Sequence, residues 1–278
     1  MAGILYLVPT PIGNLGDISP RCADILAQVD FIAAEDTRVS MKLLNHLGIK
    51  KPLVSYYRHN TDAAGRSILA KLLEGQSAAL VTDAGTPAVS DPGEELVALC
   101  AEAGVDVVAI PGPCALITAL AVSGLPTGRF TFEGFLAMNK KNRRAHLAQL
   151  RQESRTMIFY EAPHKLTATL ADLADAFGPE RRISLCRELT KLHEEVRRTT
   201  LGEACQWYGE NAPKGEFVLV VEGAPEQAPE EATLEDGLAR ALALQAEGAS
   251  LRDAVRQAAK ELSLPRSALY DLALRSRE

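Results

Sequence analysis

Apolar residues fall in short runs separated by stretches of helical spacing. Residues 4–8, 31–34, 53–57, 78–82 and 105–110 are brief, aliphatic and rich in β-branched side chains, the pattern of strands buried on both faces. Between them, 20–28, 39–47, 63–73 and 94–103 carry helical periodicity, and Leu47-Gly48 and Ala103-Gly104 read as helix stops. Strands alternating with helices predict βαβ units around a mostly parallel sheet.

After Pro111-Gly112-Pro113 a helix is expected over 115–122, and the pattern then changes. Runs at 130–135, 157–161, 183–187, 195–201 and 217–221 read as strands, with helices near 143–152, 164–177 and 202–211. This strand-rich half predicts a mixed sheet. The segment 224–232, APEQAPEEA, reads as an exposed Pro/Glu linker. Beyond it, 234–246, 251–262 and 266–275 read as three short helices, the second with Ser250 and Asp253 as a capping box and the third after the break at Ser263-Leu264-Pro265. The expected organisation is an α/β domain over 1–113, a second over 114–223, the linker, and a helical domain over 233–278.

Composition narrows the class. With 47% apolar and 24% charged residues the chain is ordinary globular protein, and no apolar run approaches the length of a membrane span. The start, MAGILYLVP, lacks a basic region and meets a proline early, so no signal peptide is expected. Five cysteines, an odd number without a C-x-x-C pair, argue against a disulfide framework or zinc site and for a cytoplasmic protein. The five histidines are scattered, which gives no metal set. The net charge of −6 is uneven: residues 224–249 hold one arginine and six acids, whereas 250–278 hold six basic and four acidic side chains. A uniformly basic protein is excluded; a nucleic-acid partner met through local basic patches is not.

Three loops concentrate the unusual residues at the C-terminal ends of expected parallel strands, where open α/β sheets bind ligands. Pro9-Thr10-Pro11-Ile12-Gly13-Asn14-Leu15 is stiff and is neither G-x-G-x-x-G nor a phosphate loop. Residues 82–93, TDAGTPAVSDPG, hold two aspartates, two glycines and two prolines. Read locally, that segment is a strand-to-helix connection capped by Asp91 or Ser90, although a connection needs less length and stiffness. Pro111-Gly112-Pro113-Cys114-Ala115 opens a helix with small residues, which lets a ligand approach backbone. Glu35-Asp36-Thr37-Arg38 reads either as a capping acidic pair with a surface arginine or as a functional charge cluster. Phe159 and Tyr160 read either as core aromatics or as an aromatic wall against a ring.

The segments VPTPIGNLGDIS (8–19), AAEDTR (33–38), VTDAGTPAVSDPG (81–93), PGPCALITAL (111–120), FEGF (132–135), FYEAPHK (159–165), CRELTK (186–191) and KGEFVLVVEG (214–223), in that order, resemble the tetrapyrrole methylase superfamily. Within it they are similar to the ribosomal RNA small-subunit methyltransferase I branch, which methylates a cytidine 2'-hydroxyl in 16S ribosomal RNA. The resemblance covers 1–223 and extends to the helical tail. It implies a two-domain non-Rossmann methyltransferase fold, S-adenosylmethionine in the cleft between domains, a homodimer, and 16S ribosomal RNA within the 30S subunit as substrate. PTPIGN and Cys114-Ala115 stand where the porphyrinoid branch carries a Gly-rich loop and serines. A tetrapyrrole or diphthine-type methyltransferase is the alternative of the same fold.

Methyl transfer from a sulfonium needs alignment and exclusion of water, and a ribose hydroxyl profits from a base. Asp91 is the first choice for that base, with Asp36 the second carboxylate and Arg38 an orienting partner. The resemblance implies cofactor contacts from Pro11, Asp83, Gly85, Thr86 and Val89 of the first domain, from Ala115 at the start of the following helix, and from Phe159, Tyr160, Pro213 and Gly215 of the second domain. Positive charge for RNA is expected from Lys140, Lys141, Arg143 and Arg144, from Arg187, and from Arg252, Arg256, Lys260 and Arg266 of the tail, whose helical break resembles a helix-turn-helix.

Overall fold

In a computed structural model, which describes residues 2–225 and 232–276, the apolar runs become ten strands and the periodic stretches eleven α-helices among the described residues. The first half runs β1 (Leu5–Leu7), α1 (Pro20–Gln28), β2 (Phe31–Ala34), α2 (Thr37–His46), β3 (Leu53–Ser55), α3 (Thr61–Leu73), β4 (Ala78–Val81), α4 (Glu94–Glu102) and β5 (Val107–Ala109). These strands form a sheet of order β3-β2-β4-β1-β5, and every pairing is parallel. Strand alternation divides its core in two. Phe31 and Ala33 join Leu72 and Leu96 on one face, while Ile32 and Ala34 join Leu26 and Leu44 on the other.

The second half runs α5 (Ala115–Val122), β6 (Phe130–Phe135), α6 (Lys140–Gln149), β7 (Thr156–Glu161), α7 (Pro163–Phe177), β8 (Arg182–Arg187), β9 (Glu195–Thr200), α8 (Leu201–Glu210) and β10 (Phe217–Val221). Its sheet has the order β6-β7-β10-β8-β9; β6 and β7 are parallel and the other pairs antiparallel. One face is filled by α7 and α8 through Phe159, Leu170, Leu185, Leu201 and Leu219. The other receives α5, whose Leu116, Ala119 and Leu120 pack on Ile158, Val218 and Val220. Both sheets lie in one compact unit, residues 1–224.

Residues 225–278 form a second unit, built from α9 (Leu234–Ala246), α10 (Leu251–Glu261) and α11 (Arg266–Arg275). Its small core joins Leu244, Val255, Ala258 and Leu269. Thr233 and Asp236 form a reciprocal capping box at the start of α9. Ser250 caps α10, its Oγ accepting from the Asp253 N–H at 3.2 Å. Of the expected linker, residues 226–231 lie outside the described residues.

One local expectation needs correcting. Neither Asp91 nor Ser90 caps α4; Gly93 does, without a side-chain hydrogen bond. The two side chains are thereby left free for other work.

Candidate functional site

The three loops that follow β1, β4 and β5 are joined by hydrogen bonds. Thr10 and Gly85 exchange backbone bonds of 2.9 and 3.0 Å, and Thr10 Oγ1 donates to the Thr82 carbonyl at 3.1 Å. Thr86 Oγ1 donates to the Pro113 carbonyl at 2.9 Å. The 82–93 loop is also held in an uncommon conformation, with Ala88 and Ser90 at φ of 65° and 70°. Non-glycine residues pay for such dihedrals, and they persist where the surroundings over-determine them.

A cavity of about 480 Å³ opens between this loop edge and the second sheet. Asp83, Gly85, Thr86, Val89, Asp91 and Ala115 line it from the first side and Tyr160 from the second. The Tyr160 hydroxyl accepts from the Leu116 N–H at 3.2 Å and so ties the start of α5 to β7. Ile12, Phe135, Leu189 and Lys191 also line the cavity and were given no role by the sequence, and Glu35 lines it from the 35–38 charge cluster.

The carboxylates set the electrostatics. Burial, then the charges of Glu35 and Asp83, push the Asp91 carboxyl up to about 6, with Arg58 opposing. Burial and then Asp83 likewise raise Glu35. A half-buried aspartate near 6 is deprotonated at neutral pH yet basic enough to take a proton. Lys191, the one cation in the lining among the described residues, is engaged by Glu188 at 2.9 Å and Glu216 at 2.8 Å.

Other expected residues lie elsewhere. Asp36 caps α2 by accepting from the Arg38 N–H at 2.8 Å, and its carboxylate pairs with the Arg38 guanidinium at 2.6 Å. That guanidinium holds Asp36 down at about 2, a poor base, and neither residue lines the cavity. Phe159 is fully buried in the α7–α8 core. Adjacent strand residues face opposite ways, so only Tyr160 of the pair reaches the cavity. Pro11, Pro213 and Gly215 stand outside the lining, whereas Glu216 is in it. Gly215, at φ 82°, leaves room for Glu188, whose Cγ would lie 2.5 Å from an added Cβ.

The basic candidates divide similarly. Arg143 is 15% exposed and bound to Asp172 at 2.5 Å, a contact between residues far apart in sequence. Arg144 reaches the same aspartate at 3.6 Å but stays 56% exposed, and Lys140 and Lys141 are exposed at the start of α6. Arg187 pairs with Glu195 at 3.1 Å. In the tail unit, Arg252, Arg256 and Lys260 recur every fourth residue along α10, all exposed, with Arg256 paired to Asp253 at 2.8 Å; Arg266, exposed, opens α11. Among the described residues no group of side chains is arranged to hold a metal, and no helix is long and apolar enough to cross a membrane.

Residues 4–205 match the family model of the Tetrapyrrole (Corrin/Porphyrin) Methylases. The chain is 54% identical, over 98% of both chains, to Ribosomal RNA small subunit methyltransferase I of Synechocystis sp.. It is 48% identical to the protein of the same name from Escherichia coli O157:H7, over 98% of this chain and 95% of that one. Uroporphyrin-III C-methyl transferase from Thermus thermophilus, solved with S-adenyl homocysteine, superposes with a TM-score of 0.57 at 17% identity, over 79% of this chain and 97% of that one. That last likeness establishes the fold.

Proposed function

The chain belongs to the tetrapyrrole (corrin/porphyrin) methylases, and we propose that it transfers a methyl group from S-adenosylmethionine to the 2'-hydroxyl of a cytidine in 16S ribosomal RNA. The carrying observation is its likeness, over 98% of its length, to relatives named for methylation of small-subunit ribosomal RNA. The substrate form in this reading is the 30S subunit in the cytoplasm, and the working form a homodimer.

The cavity suits such a cofactor. Its volume of about 480 Å³ is in the range of small-molecule sites, and it combines apolar Ile12, Val89 and Leu189 with the backbone of three stiff loops. S-adenosylmethionine supplies, when bound, a methyl group already activated on a sulfonium. Asp83, Gly85, Thr86, Val89, Ala115 and Tyr160 would hold it. The loops' mutual hydrogen bonds fix these contacts before binding, which lowers the cost of ordering them. A ribose hydroxyl is a weak nucleophile, and Asp91 accepts its proton as the new bond forms. Lys140, Lys141 and Arg144 of α6, together with the Arg252, Arg256, Lys260 and Arg266 set of the tail, supply the charge that RNA phosphates require.

The test is tritiated S-adenosylmethionine offered with 30S subunits, naked 16S ribosomal RNA and uroporphyrinogen. Label is expected in the RNA, on a ribose oxygen. Label confined to the porphyrinoid overturns the reading. Removing residues 232–278 is expected to weaken RNA binding in a filter titration and to leave S-adenosylhomocysteine binding unchanged.

A further inference from the structure

Phe135 is a large apolar side chain that the fold leaves in the open. It is 57% exposed and lines the cavity. It is also held in place: its ring meets the Tyr160 ring edge-to-face at 5.5 Å, and Tyr160 is fixed from behind by Phe132 at 4.9 Å and by the Leu116 N–H at 3.2 Å. Burial inside the protein is the usual fate of such a ring, and a rigid exposed one is a surface kept for something else.

The way Phe135 reaches that position strengthens the point. Phe132 and Phe135 are three residues apart, and in a regular strand they would face opposite sides of the sheet. Here both pack on Tyr160. The reason is a bulge: β6 pairs Phe132 with Ile158, then Gly134 with Phe159 and Phe135 with Tyr160, leaving Glu133 as the extra residue. Gly134 takes the required turn at φ 63°. In regular pairing without the bulge, Phe135 would stand opposite Glu161, on the face of Phe159 and the α7–α8 core. A bulge spends regular ladder pairing to re-aim a side chain, and bulges gather beside active sites for that purpose.

We propose that Phe135 is the platform on which the base of the acceptor nucleotide stacks while its 2'-hydroxyl is presented to Asp91. The proposal rests on the functional reading above and adds to it how an unpaired nucleotide is held. An aromatic face accepts any base, at an energy that proteins binding single strands use routinely. The electrostatics around the ring sort the parts of a nucleotide. Glu35, Asp83 and Asp91 line the cavity and repel phosphate, so that base and ribose enter while the backbone stays at the rim. From Phe135 the chain continues through Asn139, the cap of α6, to the exposed Lys140 and Lys141 five and six residues on, whose charges suit the flanking phosphates. Phe135 has no hydrogen-bonding group, so it positions the base and leaves its identity to be read elsewhere.

The test compares wild type with Phe135→Leu, Phe135→Tyr and Phe135→Trp in steady-state methylation of 30S subunits, with calorimetric titration of S-adenosylhomocysteine and a melting curve for each variant. Phe135→Leu is expected to lose about tenfold to a hundredfold in kcat/KM, chiefly through KM for the subunit. The two aromatic variants are expected within about threefold of wild type, and S-adenosylhomocysteine affinity to be the same throughout. Leucine as active as wild type, or aromatic variants as poor as leucine, overturns the platform alone. A parallel loss of S-adenosylhomocysteine affinity makes Phe135 a cofactor contact and also overturns it. Wild-type protein that labels no RNA overturns the functional reading, and the platform with it.

Discussion

The two five-stranded sheets border one cavity and bring it different things. The parallel sheet supplies loops: after β1, β2, β4 and β5 come Ile12, Glu35, the 83–91 segment and Cys114-Ala115, with all three clustered carboxylates. The mixed sheet supplies side chains from its body and rim, among them Phe135, Tyr160, Phe217 and Val218. Topology explains the contrast. Parallel strands all end at the same edge, so their loops and polar groups accumulate there. Antiparallel strands send successive ends to opposite edges, and what such a sheet presents to a ligand is mainly a face. The mutually coupled carboxylates therefore come from one half, and the aromatic and apolar wall, with the ion-paired Lys191 and Glu216, from the other.

The largest test of that division is Asp91→Asn. Loss of the proposed base on the loop side is expected to lower kcat by about a hundredfold to ten-thousandfold, read in single-turnover methylation, with S-adenosylhomocysteine affinity within about twofold of wild type. Cofactor affinity lost in step with kcat would show that the loop carboxylate binds rather than reacts. On the other sheet, Phe159→Ala should cost about 3–5 kcal/mol of unfolding free energy, measured in urea, because it empties a packed core. A stability loss well below that would contradict its burial behind the cavity wall.

Next in size is the pH profile. In its proposed role Asp91 works as the carboxylate, and its value is raised to about 6, so kcat/KM should climb about tenfold per pH unit below 6 and flatten above it. Asp91→Asn should abolish this limb. Glu35→Gln removes a negative neighbour that favours the protonated form, so the limb should move to lower pH; a shift to higher pH would sink the assigned coupling. The smallest effect is expected for Tyr160→Phe, which leaves the Leu116 N–H without its 3.2 Å partner. About 1 kcal/mol of stability should be lost, visible as a modest drop in melting temperature with the protein still folded.

Much of this was legible in advance where the relevant contacts are local. The runs at 31–34, 130–135 and 217–221 and the helices at 20–28, 115–122, 234–246 and 266–275 have the same bounds in sequence pattern and structure. Their apolar spacing and flanking caps are properties of neighbouring residues. The Asp36–Arg38 pair is also local, and the capping alternative described its geometry. Contacts that span the chain were not readable. Arg143 belongs to a basic run in sequence, yet its charge is answered by Asp172 from α7. Lys191 lay within a recognisable motif without a role, because its partner Glu216 and its place on the cavity depend on how β10 returns beside β8.

By itself, then, the sequence determined the alternation of strands and helices, the stiff loops after the parallel strands, the separate helical tail, and the family from which the methylase chemistry follows. Each is encoded within a span of residues by periodicity, proline and glycine placement, or motif. Tertiary structure alone decided which carboxylate is desolvated near neutral pH and which is held at about 2 by an arginine. It also decided which of two adjacent aromatics faces the cavity, and that a bulge in the pairing of β6 turns Phe135 from the core face toward it. Desolvation and side-chain direction depend on what the rest of the chain packs against, and no local pattern contains that information.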